Sequence, residues 1–549
     1  MDMKKFLNLF ALCAVVFAAA SCGKSRTEQM AMAENVKISC TPEVLTLVGD
    51  KIDAEITVTY PEKYFYPKTV LEVTPVLVYE GGEVAGKTFT YQGEKVKDNY
   101  PVVSYDGGSV TEKVSFDYVE GMETSYLELR SVAYYKNSTV EIPAIKVADG
   151  CNVTQLLADN GGTYSFKKDN YQAVLHESTE GQVLYTINSS VVRNSELKSE
   201  SVKNLQASLE EIAANPRYTV SGTRIISYAS PDGGQEYNAK LSDKRAESAE
   251  KAWGKVTDGM PADDVQVQSV GQDWEGFQEA IQKSDIQDKD LILRVLSMYS
   301  DPAVRESEIK NMSQVYKEIS KDVFPELRRA RFIADLDYRN YSDAELVELV
   351  SSNIDALDEE GLLRAASVVT DPAAKADIYK KAVSKFGSDR ANFNLAVLAL
   401  NDDKVDDAAR YLAAVKNPDA DVTNMKGVCE YRKGDYAAAA DLFKQAGTDD
   451  AKANLGMIQI LEGDYNAAAA TLAGTDSDNK AVAYILTGDL DKAAAAVTCD
   501  CARANYIKAV IAAREGKADE VASCLNKVAA SDPELMAKAE KDVEFANYR

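Results

Sequence analysis

The phrase RKGDYAAAADLF at residues 432–443 returns as LEGDYNAAAATL (461–472), LTGDLDKAAAAV (486–497) and REGKADEVASCL (514–525). A degenerate earlier copy, NDDKVDDAARYL, stands at residues 401–412. The glycines Gly434, Gly463, Gly488 and Gly516 are separated by 29, 25 and 28 residues. Each copy reads as the end of one helix, a turn at the glycine, and a second helix whose alanines let neighbouring helices approach closely. A helix–turn–helix unit cannot bury its apolar face alone, so repeated copies stack into a solenoid. The expectation is an all-α helical-repeat solenoid over residues 341–549. A capping box of Ser342 with Glu345 opens this region, and Asp371–Pro372 starts a later helix.

Through the G-D-Y turn and the alanine-rich second helix, these units resemble tetratricopeptide repeats. They are shorter than the family's unit of about 34 residues and lack its early Trp. The resemblance implies a protein-interaction scaffold with a protein partner in the groove of the helical repeats; the plainer alternative is a solenoid used as a spacer.

At the other end of the chain the texture differs. DAEITVTY, VLEVTPVLVY, KTFTYQG, SVTEKVSFDYV and YLELRSVAYYKN are short Val-, Thr- and Tyr-rich runs separated by turn residues. They predict an N-terminal antiparallel β-sandwich over residues 36–150. Cys40 and Cys151 bracket it, and in an oxidising compartment they are candidates for a disulfide. Cys499 and Cys501 form a C-x-C near Cys524; without a neighbouring His or a second pair they read as buried helix cysteines rather than a metal site.

Between these regions, strand and helix patterns alternate. GQVLYTINSSVV reads as a strand, and Val202, Leu205, Leu209 and Ile212 recur on one face of a following helix. RYTVSGTRIISYAS is a second strand, DDVQVQSVG a third, and FPELRRARFIADLDY the last. This pattern predicts a central α+β domain over residues 175–340. Trp274 and Phe277, in GQDWEGF, are read as packing residues.

The second strand runs into YASPDGGQEYNAKLSDKRAES, residues 228–248. Gly233, Asn238, Leu241, Ser242, Arg245 and Ala246 match in order and spacing the motif of the OmpA-like C-terminal domain, which this region resembles. The resemblance implies a peptidoglycan stem peptide as ligand, its diaminopimelate held between an Asp and an Arg. The chemistry suits a zwitterion: a carboxylate accepts from the ammonium, and a guanidinium makes parallel hydrogen bonds to the carboxylate. Fifteen residues before Arg245, where the family has its Asp, stands Ser230. Losing a charge-assisted bond there costs about 1–3 kcal/mol. Three readings stay open. Asp232 supplies the missing carboxylate; or the domain binds another wall component or a protein through Arg245; or the loop is only a turn shaped by Pro231, Gly233 and Gly234, with Arg245 pairing a surface acid.

The N-terminus begins with Lys4 and Lys5 and an apolar run from Phe6 to Ala20. That is a signal-peptide layout over residues 1–21, too short to be a membrane span. AASC resembles a bacterial lipobox and implies lipidation of Cys22, with residues 22–35 as a tether. Gly23 is not an acidic retention signal, so the outer membrane is the expected destination, lipid-anchored and facing the periplasm. The formal charge of −25 argues against nucleic acid as a partner. His176 is the only histidine, and the chain contains neither a G-x-x-x-x-G-K-[ST] loop nor a G-x-G-x-x-G helix start. No catalytic residue, cofactor or metal is therefore expected. The multidomain chain reads as a non-enzymatic outer-membrane lipoprotein linking the membrane to peptidoglycan and scaffolding protein partners. The alternative is an accessory subunit of a secretion or fimbrial assembly, whose OmpA-like domain docks protein rather than cell wall.

Overall fold

A computed structural model describes residues 36–257, 265–286 and 288–549. The signal segment, Cys22 and the tether lie outside the described residues. The described residues form two compact units, one holding those up to Lys167 together with Asp389–Arg549, the other those of Lys168–Ser388.

The first unit opens with ten strands: β1 (Lys37–Thr41), β2 (Val44–Val48), β3 (Lys51–Tyr60), β4 (Thr69–Tyr79), β5 (Gly82–Ala85), β6 (Phe89–Gly93), β7 (Val102–Val103), β8 (Gly108–Asp117), β9 (Ser125–Tyr135) and β10 (Ser138–Asn152). β3 lies between β1 and β8, antiparallel to both. β3 also pairs with β2, from which the order continues β10-β9-β4-β6-β7, with β5 folded back on β4. β10 runs parallel to β2 and β7 parallel to β6, so the region is not the wholly antiparallel one expected. Alternation drives the layering: along β3, Ile52, Ala54, Ile56, Val58 and Tyr60 are all buried. They join Leu45, Phe65, Leu71 and Leu127 in one core. Cys40 and Cys151 also lie in that core, and both are free thiols, so the expected disulfide is absent. Burial pushes both thiols up, that of Cys151 to about 12.

The second unit has a four-stranded sheet in the order β11-β14-β12-β13: β11 (Val174–Leu184), β12 (Tyr218–Ala229), β13 (Val265–Gln272) and β14 (Arg329–Arg339). β14 is antiparallel to both its neighbours, whereas β12 and β13 are parallel. Helices α1 (Glu200–Ala214) and α2 (Gln235–Val256) share a core with this sheet, in which Trp253 stacks on Phe332 with ring centroids 5.5 Å apart. The predicted face of α1 is the buried one, through Val202, Leu205 and Leu209. Among the described residues five α-helices follow, α3 (Trp274–Lys283), α4 (Lys289–Met298), α5 (Pro302–Asn311), α6 (Ser313–Glu318) and α7 (Phe324–Leu327), with a π-helical turn at Ile319–Val323, around a second cluster centred on Phe277 and Phe324.

Three further helices, α8 (Asp343–Ser352), α9 (Glu359–Val368) and α10 (Pro372–Phe386), group with this sheet rather than with the repeats that follow. Local chemistry explains the tie. Glu345 completes the capping box with Ser342 while accepting from Arg217 at 3.0 Å and Arg339 at 3.1 Å.

From Asp389 the chain re-enters the first unit. Among the described residues, five helical hairpins follow: α11 (Asp389–Asn401) with α12 (Val405–Ala413), α13 (Ala420–Arg432) with α14 (Tyr436–Ala446), α15 (Asp449–Leu461) with α16 (Tyr465–Leu472), α17 (Asn479–Thr487) with α18 (Leu490–Ala496), and α19 (Ala502–Glu515) with α20 (Ala518–Ser531). Helix α21 (Pro533–Ala539) and a final turn close the chain. The G-D phrase has a mechanical basis. Gly434, Gly463 and Gly488 take left-handed φ values of 86°, 83° and 82°, which end the first helix. The next residue, Asp435, Asp464 or Asp489, then caps the second helix by accepting a backbone N–H. Ala439, Ala468 and Ala493 are fully buried where the two helices meet. These hairpins repeat one helix–turn–helix unit.

Candidate functional site

Two places carry the functional question: the loop between β12 and α2, and the inner face of the repeats.

The loop is tightly braced. The Asn238 side chain donates to the carbonyls of Ser230 (3.0 Å) and Gly233 (2.8 Å), and Gln272 donates to Gly233 as well, at 2.7 Å. Asp232 does bring a carboxylate to Ser230, whose hydroxyl donates to it at 2.5 Å. That carboxylate is already paired, because Arg328 donates to Asp232 at 2.9 Å and to the Ser230 hydroxyl at 3.1 Å. Arg328 stands 96 residues away in sequence, and nothing in the local pattern marks it.

Arg245 is also fully engaged. Its guanidinium donates to the carbonyls of Tyr228 (2.8 Å), Ser189 (2.9 Å) and Thr186 (3.4 Å) and lies 4.9 Å from the centre of the Tyr185 ring. Only 1 % of the residue is exposed. Burial lowers its pKa to about 10, so the group stays charged at neutral pH. Its partners are carbonyls, not the surface acid expected if the loop is only a turn. Leu241 is buried on the same helix, and Ser242 accepts from the Gly271 N–H at 3.0 Å. The motif residues are thus brought together, with both charges of the would-be zwitterion clamp satisfied from within the fold. His176, exposed on β11, bonds Asp337 at 2.7 Å.

On the inner face of the repeats the structure places something that composition alone did not disclose. The first helices of successive hairpins present Asn394, Asn424, Asn454 and Asn479, all buried. Each reaches the main chain of residues 159–167, which run along the repeats as a strap. Asn479 accepts from the Asp159 N–H (2.6 Å) and donates to its carbonyl (2.9 Å). Asn454 does the same for Thr163, at 2.5 and 2.9 Å, and also donates to Asn424 at 2.9 Å. Asn424 adds a second bond to the Thr163 carbonyl at 3.1 Å, and Asn394 pairs with Lys167 at 2.8 and 3.0 Å. A carboxamide that donates to and accepts from one residue imitates a neighbouring β-strand.

The strap runs against the order of the repeats, from Leu157, whose carbonyl accepts from Arg503 at 2.9 Å, to Lys167. Gly162 is required: its φ is +83°, and an added Cβ would sit 3.2 Å from Val428. Asp159, Asn160, Thr163 and Ser165 point to solvent, so the ladder reads backbone and leaves strap side chains open. The asparagines recur at 30, 30 and 25 residues, close to the glycine spacing, and that recurrence is the signal that could have revealed them. The groove expected to hold a protein partner therefore holds the chain's own segment in this structure.

The strap's N-terminal end joins the repeats to the β-rich region. Glu544 accepts from Asn152 and Thr154, each at 2.8 Å, and from Arg514 at 2.5 Å. Gln155 donates to the Gly49 carbonyl at 2.7 Å and accepts from the Tyr465 hydroxyl, also at 2.7 Å.

No known family's profile matches the chain, and none of the curated proteins matches it. Among solved structures it is similar to the APC/C hetero-tetramer Cut9–Hcn1, at 14% identity over 37% of this chain and 46% of that one, with a TM-score of 0.32. A tetratricopeptide repeat protein from Parabacteroides merdae is 15% identical over 37% of this chain and 98% of its own, with a TM-score of 0.26. YrrB, a TPR protein with an unusual peptide-binding site, is 15% identical over 36% of this chain and all of its own (100%), with a TM-score of 0.22.

Proposed function

We propose that this chain is a non-enzymatic, lipid-anchored envelope scaffold, and that its OmpA-like region docks protein rather than cell wall, as in an accessory subunit of a secretion or fimbrial assembly. One observation carries the choice. The Arg245 guanidinium, which a wall-binding domain must offer to the stem-peptide carboxylate, is spent on three backbone carbonyls and is closed to solvent. The carboxylate that would take the ammonium is held by Arg328. Opening both to admit diaminopimelate exposes buried carbonyls and breaks a shielded ion pair, at a cost of several kcal/mol. The helical repeats then meet protein partners over the composite of groove rim and outward-facing strap. The lipid anchor rests on the AASC motif at Cys22.

Co-sedimentation of the full chain with purified peptidoglycan tests this reading. The protein is expected to stay in the supernatant at physiological salt. Pelleting that free diaminopimelate competes away would overturn the reading and restore a direct link from membrane to wall.

A further inference from the structure

The turn between α18 and α19 carries chemistry that a docking scaffold does not use. Cys499 and Cys501 were expected to be buried helix residues, yet both lie outside the helices, Cys501 exposed and Cys499 half-buried. Their sulfurs are 2.8 Å apart. The surroundings treat the two thiols differently. Cys501 sits at the N-cap of the 14-residue α19. The hydrogen bond from Cys499, then the Ala504 N–H, hold its thiol below the ordinary thiol range. The same hydrogen bond pushes the Cys499 thiol up. Cys501, the more exposed of the two and seated at a helix N-terminus, is the sulfur placed to react as a thiolate. The turn is pinned by Lys508, which donates to the Cys499 carbonyl at 2.9 Å, and by Lys527, paired with Asp500 at 3.1 Å. Buried Cys40, Cys151 and Cys429 have the opposite character, their thiols raised by desolvation. Among the described residues no group of three metal-ligating side chains forms, so the pair has no third partner for a metal ion.

We propose that Cys499 and Cys501 are a reversible dithiol–disulfide couple that exchanges with small disulfides, with Cys501 as the attacking sulfur and Cys499 as the resolving one. The Cys501 thiolate attacks one sulfur of glutathione disulfide, breaking its S–S bond and forming a mixed disulfide. The glutathione thiolate released takes up the proton that Cys501 lost. Cys499 then gives up its proton, and its sulfur attacks that of Cys501. The second glutathione thiolate leaves and takes this proton. In total one dithiol and one glutathione disulfide become one internal disulfide and two glutathiones, a two-electron exchange. A bridge closed over the single residue Asp500 and open to solvent is of the readily reduced kind.

The test uses the full chain, reduced and then equilibrated in buffers of increasing glutathione disulfide, quenched with acid and alkylated. Trypsin releases residues 493–503, which contain both cysteines and exclude Cys524. The expected product is this peptide unalkylated and lighter by two hydrogens, with dithiothreitol restoring double alkylation and Cys524→Ser changing nothing. Cys499→Ser is expected to trap glutathione on Cys501. In the reduced protein, iodoacetamide is expected to label Cys501 on the order of tenfold faster than Cys429. Two results would overturn the proposal: both thiols remaining fully alkylatable when the buffer glutathione is almost all disulfide, or Cys501 bridging to Cys524 instead.

Discussion

Lys167 and Asn394 hold each other by two hydrogen bonds: the Lys167 N–H donates to Asn394 Oδ1 at 2.8 Å, and Asn394 Nδ2 donates to the Lys167 carbonyl at 3.0 Å. Lys167 is the last residue of the first unit before the chain leaves it, and Asn394 lies five residues after the chain returns at Asp389. Lysine-side charge adds to this pairing, since Lys167 Nζ bonds both Asp419 and, at 2.9 Å, Asp421. The strap therefore ends on a clamp at the place where the second unit is inserted.

Asn454→Ala is expected to loosen the strap more than any other single change in the ladder. It removes both bonds to Thr163 and the bond to Asn424, leaving buried groups unpaired. The expected loss is about 1–3 kcal/mol, read as a lower urea midpoint, with proteases cutting within residues 159–167 before the repeats open. A variant with wild-type midpoint and protection would mean that the ladder is incidental.

Arg245→Ala is expected to act on stability. It removes the guanidinium from the carbonyls of Ser189, Tyr228 and Thr186, the last of which keeps the Ser189 N–H, and empties a buried volume beside Tyr185. A loss of at least about 2 kcal/mol in the second unit, Lys168–Ser388, follows. Calorimetry on the full chain would register it as an earlier transition. An unchanged transition would place the guanidinium in solvent and reopen wall binding.

Glu544 predicts an acid-sensitive joint between the β-rich region and the repeats. Desolvation works to raise its carboxyl, but the hydrogen bond and charge of Arg514, with Thr154 and Asn152, outweigh that and hold it below the ordinary range. A depressed folded-state pKa stabilises above the unfolded value, about 4.3 for Glu, and the stabilisation is lost as pH falls through the folded value. Wild type is thus expected to exceed Glu544→Gln in denaturant stability by a constant margin above pH about 5, with the margin shrinking below pH about 4. A margin independent of pH would contradict this.

Much of the architecture was legible because its determinants are local. Left-handed Gly434, Gly463 and Gly488, each followed by a capping Asp, specify the hairpins one turn at a time. Alternation along β3 declares its buried face, and the 3–4 spacing of Val202, Leu205 and Leu209 declares that of α1. The motif positions from Gly233 to Arg245 were likewise readable, since they share one loop and one helix.

What those residues bond to was decided only in three dimensions. Arg328 reaches Asp232 across 96 residues and closes one half of the clamp, while carbonyls of a separate loop, at Thr186 and Ser189, close the other. The ladder joins Asn394 to a strap 227 residues earlier in the chain. Hydrogen-bond satisfaction in a buried site depends on what the fold carries to it, and that choice leaves no periodic trace at the receiving residue. By itself, the sequence determined where this chain turns and which faces it buries; the tertiary structure decided that its charged clamp is closed and that its repeat groove is filled from within, because burial obliges each polar group to find a partner wherever the fold delivers one.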